Sequence, residues 1–244
     1  MKVPEAPEVG VDEILKKAFR YWSKTLVYQL VFSMLYLSIF LFVLMFFATE
    51  YGLLDQYISA LSKSKEGLEV YEKEILKITE NPNFITFYYI MLATTVFLFP
   101  LNIGFFKIYR KMDLGEKPEL NDLFAGYMGV NFFRFVSFYL FWLIIFSYTA
   151  PTIFLGMMWI LITLFTAPLM FFMDKRIFES FTLNFHAIKK YTLLIFVGML
   201  VSFVFKIVGM MTIVLLPFTF PFTNAMIYTL YMQVFREHKG EISI

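Results

Sequence analysis

Cysteine is absent from this 244-residue chain, which removes disulfides, thiolate metal ligation and a cysteine nucleophile together. Histidine occurs twice, at His186 and His238, too few for a multi-histidine metal site within one chain. Charge is scarce as well: 16% of residues are Asp, Glu, Lys or Arg against 59% hydrophobic. That balance excludes an ordinary soluble domain. A net charge of +2 provides no field that would draw nucleic acid. No Ser-His-Asp set, Gly-rich phosphate loop or HExxH motif is present. The carboxylates lie outside the apolar runs, so no acid pair falls at bilayer depth. The expectation is a chain that is not an enzyme and carries no catalytic residue, metal or cofactor.

What the chain has is long apolar runs, rich in phenylalanine (33 residues), with a mean hydropathy of +0.69. Residues 135–173 form a 39-residue stretch without one charge. As a single helix it would be roughly 58 Å long, nearly twice a hydrocarbon core of about 30 Å, so it must fold back. The turn is expected at Thr149-Ala150-Pro151, since proline suits a helix start and disfavours helix before it. The same arithmetic gives an all-α, polytopic bundle of six spans in three hairpins, at residues 25–48, 84–106, 132–149, 151–173, 191–208 and 211–235. The run at the N-terminus is too long, and its flank too acidic, for a cleaved signal, so the first span is expected to be retained.

Each hairpin is preceded by an amphipathic stretch expected to be an interfacial helix: residues 11–24, 120–130 and 174–190. Asp12, Asn121 and Asp174 are the expected N-caps. Together these make a pseudo-threefold repeat of helix-plus-hairpin modules in one domain, residues 1–244. Residues 49–83 form an acidic external loop with an expected amphipathic helix carrying Leu68, Tyr71, Ile75 and Ile78, supported by Glu69 with Lys73 and Glu74 with Lys77. Sixteen Lys and Arg fall on the side of the termini and five on the other. The positive-inside rule therefore puts both termini in the cytoplasm of a plasma membrane, with anionic lipid holding the amphipathic helices.

Few polar groups lie within the spans. Gln29, near one end of span one, reads as an interfacial anchor. Asn102 follows Pro100, which kinks span two, and can bond the freed backbone or a neighbouring helix. Lys206 is expected near the outer end of span five, snorkelling to the surface. Pro217 and Pro221 bend the last span next to Thr223 and Asn224. Asn102, Lys206, Thr223 and Asn224 are the candidate intramembrane polar site.

The segments GEKPELNDLFAGY at 115–127, FESFTLNFHAIKK at 178–190 and the run 217–231 resemble a group of uncharacterised bacterial six-span membrane proteins. That group is similar to the membrane domain found beside some glycerophosphodiester phosphodiesterases; the phosphodiesterase barrel itself has no counterpart here. The resemblance implies a bacterial inner-membrane protein and carries no catalytic residues. The expected role is a non-enzymatic binding, scaffold or accessory component whose partners are membrane lipids or other membrane proteins. The alternative is a transporter of a lipid or small solute that uses the bent last span.

Overall fold

A computed structural model describes residues 10–235, and within them the chain is helical with no strand. The tail carrying Pro4 and Pro7 and the final segment with His238 lie outside the described residues. The chain divides into two compact units, Met1–Ser33 with Phe99–Ile244, and Met34–Leu98.

The larger unit begins with α1 (Val11–Lys24), which buries Ile14, Ala18 and Tyr21 and exposes Lys16, Arg20 and Lys24. Its N-cap is Gly10, not Asp12; Asp12 lies in the first turn, where its charge suits the helix dipole. α2 (Leu26–Glu50) follows after one non-helical residue. α5 (Phe84–Leu98) and α6 (Pro100–Asp113) are separated only at Phe99, where Pro100 takes the first position of the new helix. The expected interfacial helix at 120–130 is instead a 3-10 segment, Leu120–Tyr127, capped by Glu119 and not by Asn121. The tighter winding follows from its anchoring: Asp122 reaches back to the Glu119 N–H at 2.8 Å, closing the first turn. Gly104 and Gly126 let this segment lie backbone-to-backbone on α6, since a methyl group at Gly104 would overlap Leu123 and one at Gly126 would overlap Pro100.

α7 (Val130–Thr149) and α8 (Ile153–Thr163) turn where Pro151 predicts. α8 gives way to α9 (Thr166–Met173) at Leu164 and Phe165, so Pro168 sits in the first turn of a new helix, where a missing N–H costs nothing. Asp174 does not cap the next helix. It ends α9 in the left-handed conformation (φ 53°), which a short polar side chain tolerates, and Arg176 takes the N-cap of α10 (Ile177–Thr212). α10 breaks at Tyr191, between the expected interfacial helix and span five. The expected last span is resolved into α11 (Leu216–Thr219) and α12 (Phe222–Phe235), parted by Pro221. α12 is the most enclosed element: all its residues except Thr223, Ile227 and Gln233 are buried. With α6 it forms the core of this unit.

The smaller unit holds the rest of α2, α3 (Leu53–Lys63), a 3-10 turn at Ser64–Glu66, α4 (Leu68–Thr79) and α5. Gly52 and Gly67, both at positive φ, start α3 and α4. Tyr71, Ile75 and Ile78 face inward as expected; Leu68 is exposed. Glu74 binds Lys77 at 2.6 Å and Lys63 at 3.2 Å, tying α3 to α4, and Lys77 followed by Lys63 holds its carboxyl below the usual range. Among the described residues five helices are long and apolar enough to cross a membrane: Leu26–Glu50, Phe84–Asp113, Val130–Thr149, Ile153–Met173 and Ile177–Thr212.

Candidate functional site

The larger unit gathers its polar side chains into three clusters. The first contains two residues of the expected site. Asn224 on α12 donates to the Asn102 side-chain oxygen at 3.0 Å, and Asn102 donates to the Phe99 carbonyl at the α5–α6 break, also at 3.0 Å. Asn102 thus bonds a neighbouring helix, one of the two roles its position suggests; the carbonyl that Pro100 frees is that of Val96, four residues back, and Asn102 bonds Phe99 instead. Thr223 lies beside Asn224, but its hydroxyl is buried without a hydrogen bond. Lys206 is half-buried on α10 and makes no hydrogen bond or ion pair among the described residues. The four candidates therefore do not form one connected group.

The second cluster was not visible in the sequence. Tyr21 of α1 and Tyr228 of α12 donate to the two carboxylate oxygens of Asp113, the last residue of α6, Tyr228 at 2.7 Å. The rings of Tyr21, Tyr109 and Tyr228 lie 5.3–5.4 Å apart in a mutual triangle. Beneath them Gln29 is fully buried, donating to the Trp22 carbonyl at 2.8 Å and to the Thr25 hydroxyl at 2.9 Å. This corrects its reading as an interfacial anchor: the apolar sequence around it does not reveal that its face of α2 meets α1. The Gln29 carbonyl oxygen and the Tyr109 hydroxyl are both buried without partners.

The third cluster is ionic. Asp122, 2% exposed, accepts from Lys107 at 2.9 Å and Lys111 at 2.8 Å, successive turns of α6. Burial alone would raise its carboxyl, but Lys111, Lys107 and the Glu119 N–H outweigh that and hold it below the usual carboxylate range. Arg134 at the start of α7 pairs with Asp174 and donates to the Lys175 carbonyl at 2.7 Å, joining the two ends of the α7–α9 hairpin. A further buried amide, Asn184, accepts the Phe165 N–H at 2.9 Å and donates to Ser180 and Thr166, so it occupies the break between α8 and α9. Lys107 and Lys111 share a face by their spacing alone. Their partner could not be read, because it depends on the 3-10 winding of residues 120–127.

All three arrangements consist of side chains bonded to one another or to helix ends. Among the described residues no group of three or more His, Cys, Asp or Glu is placed to hold a metal. Compared with protein-family models, curated proteins and solved structures, the chain has no significant match.

Proposed function

We propose that this chain is a multi-pass protein of a bacterial inner membrane, acting as a binding, scaffold or accessory component and not as an enzyme. The observation that supports it is the Asn224–Asn102–Phe99 chain of hydrogen bonds, in which the amides at bilayer depth serve helix packing. The ionic clusters support a layered arrangement. Asp113, Arg134 and Asp174 stand at or near the ends of apolar helices and Asp122 in the 3-10 segment between two of them, all joined to neighbours, as they would be at a headgroup boundary. α1, with its exposed Lys16, Arg20 and Lys24, then lies at that boundary as an interfacial helix against anionic lipid. Both termini are on the cytoplasmic face. Of the six crossings the sequence predicts, five have, among the described residues, a helix long and apolar enough to carry them: α2, α5–α6, α7, α8–α9 and α10.

The transporter reading draws on one feature, the α11–α12 break at Pro221 beside the unpartnered Thr223 hydroxyl. Purification in mild detergent with mass spectrometry of co-purifying lipids and proteins tests the two readings. A stoichiometric lipid or protein partner supports the binding role. Solute movement in reconstituted vesicles that is lost in Asn102→Ala and Asn224→Ala overturns it in favour of transport.

A further inference from the structure

The corner between α10 and α11 is built unlike a turn that faces water. Met210, Met211, Ile213 and Val214 are 64, 80, 75 and 78% exposed, and no charged residue lies nearer in sequence than Lys206. Ile213 adopts φ 50°, a left-handed conformation that favours Gly or Asn and strains a β-branched side chain. A solvated corner would gain from Gly or Asn there and lose nothing. The N–H groups of Val214, Leu216, Phe218 and Thr219 are bonded within the turn, and the Thr212 and Thr219 hydroxyls fold back onto helix carbonyls. Bonds of this kind are what irregular backbone requires in hydrocarbon, and among the described residues the Ile213 and Leu215 N–H groups at this corner lack one.

Two hydrogen bonds fix how far the corner reaches. Trp22 of α1 donates to the Phe218 carbonyl at 2.7 Å, and Ser33 of α2 donates to the Pro217 carbonyl at 2.6 Å. On the other limb the Phe205 ring packs 5.8 Å from Trp22 and 5.3 Å from Phe19. Ser33 lies nine residues beyond Lys24, roughly 14 Å along the helix, and Val214 is three residues from Pro217, at most about 11 Å further when fully extended. The sum, at most about 25 Å, falls short of a hydrocarbon core of about 30 Å. Gly209 allows the two limbs to close, because any side chain there would overlap Thr219. Past the corner α12 returns to Asp113, where Tyr228 meets Tyr21 of α1.

We propose that α10 and α11 form a re-entrant hairpin that enters the bilayer from the α1 face and returns to it, with residues 210–215 as a tip embedded among acyl chains. The inference rests on the membrane reading above and replaces the last two expected crossings, leaving four. Lys206, next to Phe205, then lies near the level of Trp22 on the terminal side and not at the far end of a span. The apolar side chains at the tip are the surface that lipid hydrocarbon covers.

The natural lack of cysteine makes the test direct. Single substitutions Val214→Cys and Met211→Cys are compared with Lys16→Cys on α1 and Ser64→Cys in the 3-10 turn, in sealed vesicles of both orientations. The reagent is a charged, membrane-impermeant maleimide. Positions 16 and 64 are expected to label from opposite faces. Positions 211 and 214 should label from neither, and at least ten times faster once the protein is dissolved in SDS. Nitroxides on the same two cysteines should collide more often with oxygen than with a water-soluble nickel complex, which reads depth independently of thiol reactivity. Labelling of 214 from the face that labels 64 shows a full crossing, and from the face that labels 16 a water-exposed turn; either overturns the proposal while the membrane reading stands. Labelling of 16 and 64 from one face, or release of the chain by carbonate, overturns the membrane reading itself and the tip with it.

Discussion

Asp122 is held in a nearly closed site by two ammonium groups and one backbone N–H. Its carboxyl is depressed in the folded chain, so its stabilising effect is present above the unfolded carboxylate value of about 4 and is lost as pH falls through the folded value. Asp122→Asn should lower stability at pH 7 by about 2 kcal/mol and flatten the acid limb of thermal unfolding in detergent; an unchanged acid limb would show that the contact carries no weight. Asn102 and Asn224 offer a second test. A double-mutant cycle with Asn102→Leu and Asn224→Leu should return a coupling of about 0.6 kcal/mol, as found for hydrogen bonds between membrane helices. A coupling of zero would mean that the two amides meet without stabilising the bundle.

Among the elements, the apolar helices were legible because span length and the absence of charge leave few alternatives. The Thr149–Pro151 turn and the α5–α6 break at Pro100 were legible from proline chemistry. The caps were not: Gly10 takes the place of Asp12, and Asp122 and Glu179 bond back to the N–H groups of Glu119 and Arg176, making those residues the caps in place of Asn121 and Asp174. Hydropathy also could not separate α2, exposed over much of its length, from α12, enclosed on nearly every side. Both are predominantly apolar, and only neighbours distinguish lipid from protein as the covering. The 3-10 segment was hidden for a related reason: its docking depends on two glycines, Gly104 and Gly126, that are 22 positions apart in sequence. Gly104→Ala and Gly126→Ala are each expected to destabilise the protein by about 1–3 kcal/mol through backbone displacement, measured as a lowered unfolding midpoint. Wild-type midpoints in both would refute the close approach.

On the scale of the molecule, Tyr21, Asp113 and Tyr228 tie the segment before the first apolar helix to the last helix described. A fluorescent protein that matures only in the cytoplasm should therefore glow when fused to either end of the chain. Fluorescence from one fusion alone would require an odd number of crossings and would break the proposed topology. The site expected from sequence was legible only in part. Asn102 and Asn224 were found from a proline and an amide in an apolar setting. The Asp113 junction was missed because a carboxylate following Lys107, Arg110 and Lys111 reads as an ordinary loop charge.

That junction also sets an order of events during synthesis. Tyr21 and Asp113 can meet as soon as the first hairpin has been inserted, but Tyr228 lies 115 residues beyond Asp113. At about 5–20 residues per second the ribosome needs on the order of ten seconds to supply it. For that interval the carboxylate lacks one of its two phenol donors, and a chain stopped short of residue 228 never gains it. Arrival of the last described helix is thus registered at a single side chain 115 residues earlier, which distinguishes a chain that has reached Tyr228 from one that has not.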